Sequence, residues 1–165
     1  EIQTVLVRGT LDLDFNDDSS LDVLDLDSML GEGPIDGGVM VSETSSQFDL
    51  NGDGLIDLND RDIWLAEAAS ENGLGSSYRL GDANLDGVVD VTDFNLWNAN
   101  KFTMSLNWSD ANFNGDGFID TSDFNLWNAN KFTMSDAAFS SVVPEPTGLV
   151  MAVFGLLAAV GLNRR

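Results

Sequence analysis

The sequence predicts a mainly α fold assembled from tandem loop–helix units, and three observations carry that prediction. Residues 93–105 and 123–135 are the same thirteen letters, Asp-Phe-Asn-Leu-Trp-Asn-Ala-Asn-Lys-Phe-Thr-Met-Ser. Each copy follows a twelve-residue segment with side-chain oxygens at positions 1, 3, 5, 9 and 12 and glycine at position 6. The same template recurs twice upstream, which makes the chain a repeat protein.

The third and fourth loops match most closely. The third carries Asp82, Asn84, Asp86, Gly87, Asp90 and Asp93; the fourth carries Asn112, Asn114, Asp116, Gly117, Asp120 and Asp123. One sharply turned loop with this spacing surrounds Ca²⁺ with six to eight oxygens, position 7 giving its backbone carbonyl. Val88 and Phe118 hold that position. In the second loop Asp49, Asn51, Asp53, Gly54, Asp57 and Asp60 match throughout, with Leu55 at position 7. The first has Asp14, Asn16, Asp18, Ser20, Asp22 and Asp25, but Ser19 replaces the glycine. Position 6 needs a tight or left-handed backbone, which costs a non-glycine residue energy. The expectation is therefore Ca²⁺ at three loops, with the first either a weaker fourth site or free of metal. Position 8, which faces inward, is apolar in every copy: Leu21, Ile56, Val89 and Ile119.

Composition fits this account. The formal charge is −21, from 28 acids against 7 bases, and the chain has no histidine or cysteine. Most of the acids are loop ligands, so clustered carboxylates oppose compaction until a cation joins them. Such acidity in a metal-free chain also reads as disorder, although 43% of the residues are hydrophobic. Negative charge disfavours nucleic acid, whose binding needs Lys and Arg against phosphate. Without cysteine there is no disulfide framework, leaving calcium as the staple for a small exported domain. Without histidine there is no Ser-His-Asp chemistry. With no nucleophile elbow and no phosphate loop, the residues predict no enzyme.

Helices are expected to begin where each loop ends. The spacing predicts one over 91–101, capped by Thr92 or Asp93, and a twin over 121–131. Phe94 and Trp97 share a face of the first, as do Phe124 and Trp127 of the second. A helix over 60–69 offers Ile63, Trp64 and Ala68 to the core and stops at Asn72-Gly73. A short one containing Leu26, Met29 and Leu30 ends at Gly31, Gly33 and Pro34. Trp64, Trp97 and Trp127 share one register, which marks them as core rather than as a carbohydrate-stacking surface. Trp108 lies outside that register and is expected at the surface. Position-8 residues are expected to bridge across loops, Val89 with Ile119 and Leu21 with Ile56.

Little room exists for an incoming helix before the third or fourth loop, so each unit is loop-then-helix. Paired calcium loops, Asp at position 12, one following helix and near-symmetric halves resemble the dockerin family, an EF-hand-like fold. The likeness is strongest over 80–135 and looser over 12–72, a second pair with a long insertion, with 73–79 as linker. Runs such as Gly81-Asp82-Ala83-Asn84-Leu85-Asp86-Gly87 are similar to dockerin-like repeats of planctomycete-type surface proteins. The resemblance implies Ca²⁺-dependent folding and, in cellulosomal members, docking to a cohesin. Carried over by position, partner contacts fall on Val91, Thr92, Thr121 and Ser122. Thr121-Ser122 fits the family's Ser/Thr pair; Val91 departs from it, and Asn98-Ala99 and Asn128-Ala129 stand where basic residues are usual.

After Ser135 the composition changes. Residues 136–147 read as a linker containing Pro144-Glu145-Pro146; 148–162 is an apolar run, followed by Asn163-Arg164-Arg165. Fifteen helical residues span about 22 Å, short of a bilayer's roughly 30 Å core. An apolar run ending in Arg-Arg reads as a marginal membrane segment with a cytoplasmic C-terminus, the alternative being a buried core helix. This order resembles a PEP-CTERM sorting signal. That resemblance implies an exported protein handed to an exosortase and cleaved near the Pro-Glu-Pro motif. With Glu1 in place of Met and no visible signal peptide, the chain is expected to be part of a longer exported protein. Residues 1–11 would then be the end of a preceding domain or a linker.

Two functions follow. The first is a calcium-binding, dockerin-like attachment or spacer module of a surface-sorted protein. The second is the non-catalytic tail of a secreted polysaccharide-degrading enzyme. A calcium sensor fits less well, because sensors open a Met-rich groove, and Met29, Met104 and Met134 are scattered.

Overall fold

A computed structural model describes residues 11–135. Residues 1–10 of the expected preceding domain or linker, the Pro-Glu-Pro motif and the apolar tail lie outside the described residues. Four α-helices carry most of the regular structure, each directly after a loop: α1 (Val23–Leu30), α2 (Leu58–Glu71), α3 (Val91–Asn100) and α4 (Thr121–Asn130). Between them run two-residue strands, β1 (Val39–Met40), β2 (Leu55–Ile56), β3 (Thr103–Met104) and β4 (Phe118–Ile119), with 3₁₀ turns at Ile35–Gly37, Ser46–Phe48 and Trp108–Asp110. Among the described residues no helix is long and apolar enough to cross a membrane.

Each helix starts for the same reason. The loop's position-9 aspartate is the N-cap: Asp22, Asp57, Asp90 and Asp120 accept from the N2 backbone N–H. The position-12 aspartate, at N3, reaches back to the cap's own N–H and completes a capping box. Thr92 and Asp93 are therefore not the caps of α3. A cap must precede the helix so that its side chain meets the free N–H groups, and Asp90 does so, 2.6 Å from the Thr92 nitrogen. α2 also starts two residues earlier than expected, at Leu58, because Asp57 is its cap.

The loops pair one with two and three with four, but not through position 8. The indole of Trp97 donates to the Asp120 carbonyl at the start of α4, and that of Trp127 to the Asp90 carbonyl at the start of α3. α3 and α4 therefore run antiparallel, and each ends beside the other's loop. The chain leaving α3 pairs with the fourth loop, Thr103 opposite Ile119 and Met104 opposite Phe118. The chain leaving α4 bridges the third, Val88 opposite Met134. Val89 and Ile119 thus each meet a helix-following segment and not one another. In the first half Val39 faces Ile56 and Met40 faces Leu55. Among the described residues no strand pairs with Leu21, and the Asn72 amide donates to its carbonyl. The expected Leu21–Ile56 bridge is absent for the same reason: the incoming segment takes the ladder position.

The inward face behaves as its pattern requires. Ile56, Val89 and Ile119 are fully buried, while Leu21 is only partly covered. Trp64, Trp97 and Trp127 belong to one apolar cluster that runs through both halves. Phe94, Trp97, Phe124 and Trp127 form an aromatic quartet between α3 and α4, with ring centroids 5.0–6.5 Å apart. Trp108 overturns its expectation: it is fully buried, edge-on to Phe113, and donates to the Asp82 carbonyl at 2.7 Å. Its 3₁₀ turn places it between the third and fourth loops, where the repeat register is silent. Gly81 is needed for contact: a Cβ there would stand 2.7 Å from the Trp127 Cα.

Segment 73–79 is packed rather than free. Tyr78 is buried, its N–H donates to the Leu65 carbonyl, and its hydroxyl accepts from Asn72.

Candidate metal centre

The four loops share one backbone trace. Position 4 has positive φ in every copy: Asp17 at 58°, Gly52 at 77°, Leu85 at 53° and Gly115 at 73°. So does position 6, with Ser19 at 69°, Gly54 at 90°, Gly87 at 86° and Gly117 at 83°. Ser19 thus takes the left-handed conformation that glycine takes elsewhere, at the strain cost such a residue bears. The sequence showed position 6 but not position 4; glycine at two of the four copies, Gly52 and Gly115, was the available signal.

Backbone N–H groups fix the ligand side chains. The position-12 carboxylates accept from the N–H of position 2 on one oxygen, at 2.8 Å in each loop, and from that of position 9 on the other. Position 1 accepts from the N–H of position 6: Asp14 from Ser19, Asp49 from Gly54, Asp82 from Gly87 and Asn112 from Gly117. Position 3 accepts from position 5, and position 5 from position 7. Among the described residues no three Asp or Glu side chains form a ready metal cage on their own. Each loop mixes carboxylate and Asn side chains, and the position-3 Asn amide donates to the position-5 carboxylate in every copy.

The position-12 carboxylates are buried and close to other carboxylates of their loops. Asp25, Asp60, Asp93 and Asp123 are fully buried, and burial raises the pKa of each against the lowering effect of the N–H groups they accept from. Asp82 is the extreme case. Burial, then the charges of Asp93 and Asp86, push its carboxyl up to about 7. Its Oδ1 is buried without a hydrogen-bond partner. A buried acceptor left unsatisfied costs roughly 1–3 kcal/mol and more when charged. A divalent cation at this point would satisfy the orphaned oxygen and relieve the repulsion. Hard oxygen donors with no nitrogen or sulfur suit Ca²⁺ rather than a transition metal. The residues fit the ion.

The chain has no match among family models, curated proteins or solved structures.

The loops differ in their setting. In the first, Asn16, Asp18, Ser19 and Ser20 are all exposed, whereas in the third Asp82 is fully buried. Val91, Thr92, Thr121 and Ser122 are exposed at the first turns of α3 and α4. At position 7, a methionine stands opposite the loop residue in three copies: Met40 beside Leu55, Met104 beside Phe118 and Met134 beside Val88. These methionines are 76%, 85% and 58% exposed and form small apolar knobs, whereas Met29 is fully buried.

Proposed function

We propose that this chain is a calcium-stabilised, dockerin-like attachment or spacer module of an exported, surface-sorted bacterial protein. The observation that carries the calcium reading is the partnerless buried Oδ1 of Asp82, in a loop whose backbone trace recurs four times. Ligand positions 9 and 12 double as the helix-capping box, so ion binding and helix formation share side chains. The two-fold exchange of helix-following segments between the third and fourth loops supports a paired module of the dockerin kind. Val91, Thr92, Thr121 and Ser122 are then the residues through which a cohesin-like partner would dock.

Calorimetric titration with Ca²⁺ is expected to show one ion at each of the second, third and fourth loops and a weaker or absent one at the first. Extracellular modules set the lower end of affinity, at roughly 10⁻⁴–10⁻³ M. Asp93→Ala and Asp123→Ala should each remove one site. Fewer than two sites in the unmodified chain refutes the reading.

The apolar segment at 148–162, after Pro144-Glu145-Pro146 and before Arg164-Arg165, supports sorting through an exosortase-type enzyme and transient anchoring in the inner membrane. Deleting residues 144–165 should move the protein from the cell envelope to the medium, read by fractionation, and leave calcium binding unchanged. Retention of the shortened protein in the envelope would contradict this.

A further inference from the structure

Arg61 is buried at 5% exposure, and its one carboxylate partner among the described residues, the neighbouring Asp62, points into solvent. Its Nε and Nη2 donate to Asp62, at 2.9 and 2.6 Å, and its Nη1 donates across the molecule to the Phe113 carbonyl, at 3.0 Å. One end of that bond adjoins a proposed ion site and the other lies inside one. Arg61 directly follows Asp60, the position-12 ligand of the second loop. Phe113 is position 2 of the fourth, and its own N–H donates to Asp123, the position-12 ligand there, at 2.8 Å. A buried guanidinium is costly unless well bonded, so this bridge holds the two loops in one relative setting.

A second contact grips the same loop. Ile35 and Asp36, from the insertion after α1, both donate their backbone N–H to the Gly115 carbonyl, at 2.9 and 3.4 Å. Gly115 is position 4 of the fourth loop, and a Cβ there would stand 2.7 Å from Ile35 Cγ1. Gly117, at position 6, packs against Pro34 from the same insertion. The second loop has no such cover: around Gly52, its own position 4, there is nothing within 4 Å of a built Cβ. The first half therefore shapes the backbone of the fourth loop from two sides.

We propose that the second and fourth loops bind calcium as a coupled pair, with Arg61 as the residue that transmits occupancy of one to the other. The inference rests on the calcium reading and adds to it a direction and a route. The loops coupled are not the neighbours three and four, which lead into identical helices, but two loops from different halves. Filling the second loop fixes Asp60 and the first turn of α2, which sets Arg61 against Phe113 and draws position 2 of the fourth loop towards Asp123. By linkage, the fourth loop must favour the second by the same factor.

Three of the four loops carry their own reporter. The position-6 glycine N–H of the second, third and fourth loops donates to the position-1 ligand. Amide shifts of Gly54, Gly87 and Gly117 in protein labelled with ¹⁵N-glycine therefore read the loops separately during addition of CaCl₂. Asp49→Ala, which disables the second loop, should move the Gly117 midpoint to about tenfold higher calcium and leave Gly87 within twofold. In an Arg61→Met background, which keeps the stem and removes the donor, Asp49→Ala should move Gly117 by less than twofold. Gly115→Asn and Gly52→Asn form a pair that touches no ligand side chain, and Asn tolerates positive φ. The first should weaken the fourth loop about tenfold, and the second should leave it unchanged, even where Asp49→Ala compromises folding. A Gly117 midpoint indifferent to Asp49→Ala and to Gly115→Asn would overturn the coupling while calcium binding stood. Glycine amides that do not move with calcium at all would overturn both.

Discussion

Removing calcium with excess chelator is expected to abolish most of the helical circular dichroism of this protein, and restoring calcium to recover it. The reason lies in shared side chains. Asp22, Asp57, Asp90 and Asp120 cap the four helices, and Asp25, Asp60, Asp93 and Asp123 close the capping boxes from inside the rings of oxygen. Without a cation, burial and then the charges of Asp93 and Asp86 raise the Asp82 pKa to about 7, and one of its oxygens has no partner. Helices of 8 to 14 residues have little stability of their own, so loss of the loops removes their N-termini and their packing together. The formal charge of −21 adds self-repulsion.

The same chemistry fixes the direction of the pH response. The folded-state pKa of Asp82 is raised above its ordinary value of 3.8. The folded, metal-free chain therefore binds this proton more tightly than the unfolded chain does. Stability from that protonation is fully present below the unfolded value and is lost as pH rises through about 7. Asp25, Asp60, Asp93 and Asp123 shift in the same direction. Chelated protein should keep more helical dichroism at pH 5 than at pH 8, whereas the calcium form should gain nothing from acid. A dichroism spectrum indifferent to chelator at pH 8 would end the calcium-staple account.

The loops were legible because ligand chemistry leaves little freedom: oxygen at five fixed positions, glycine at the tight turn and an apolar residue at position 8 write a pattern that survives in one sequence. Helix starts were legible to within two residues for the same cause, since the end of each loop is the start of each helix. The expectation that Thr92 or Asp93 caps α3 failed because Asp90 was read as a ligand only and not also as a cap. Strand pairing failed because it depends on where a helix ends in space. Phe102 and Phe132, each at φ 65°, turn the chain sharply out of α3 and α4 into the neighbouring loop, and bulky residues do not advertise a left-handed turn. Contact between the halves was equally invisible. Nothing in the letters around Arg61, Ile35 and Ser109 says that Phe113, Gly115 and Asp27 lie beside them, at separations of 52, 80 and 82 residues.

Trp108→Ala is expected to be among the most damaging single substitutions in the chain. The indole is fully buried and sits edge-on to Phe113 with centroids 5.2 Å apart. Its N–H donates at 2.7 Å to the carbonyl of Asp82, the first residue of the third loop. The turn that carries it is tied to α1, where the Asp27 carboxylate accepts from the N–H and hydroxyl of Ser109 at 3.0 and 2.6 Å. Truncation removes a large apolar group from a closed site and opens a cavity between two loops and a helix, which costs about 3–5 kcal/mol. Trp108→Phe keeps a ring and loses only the donor, leaving the Asp82 carbonyl unpartnered at about 1–3 kcal/mol. Denaturant unfolding in saturating calcium measures both. The alanine variant should also weaken the third loop more than the second, because Asp82 loses its backbone anchor while Asp49 is untouched. A surface tryptophan would cost within about 0.5 kcal/mol on either substitution, and a loss that small would contradict the burial on which this junction depends.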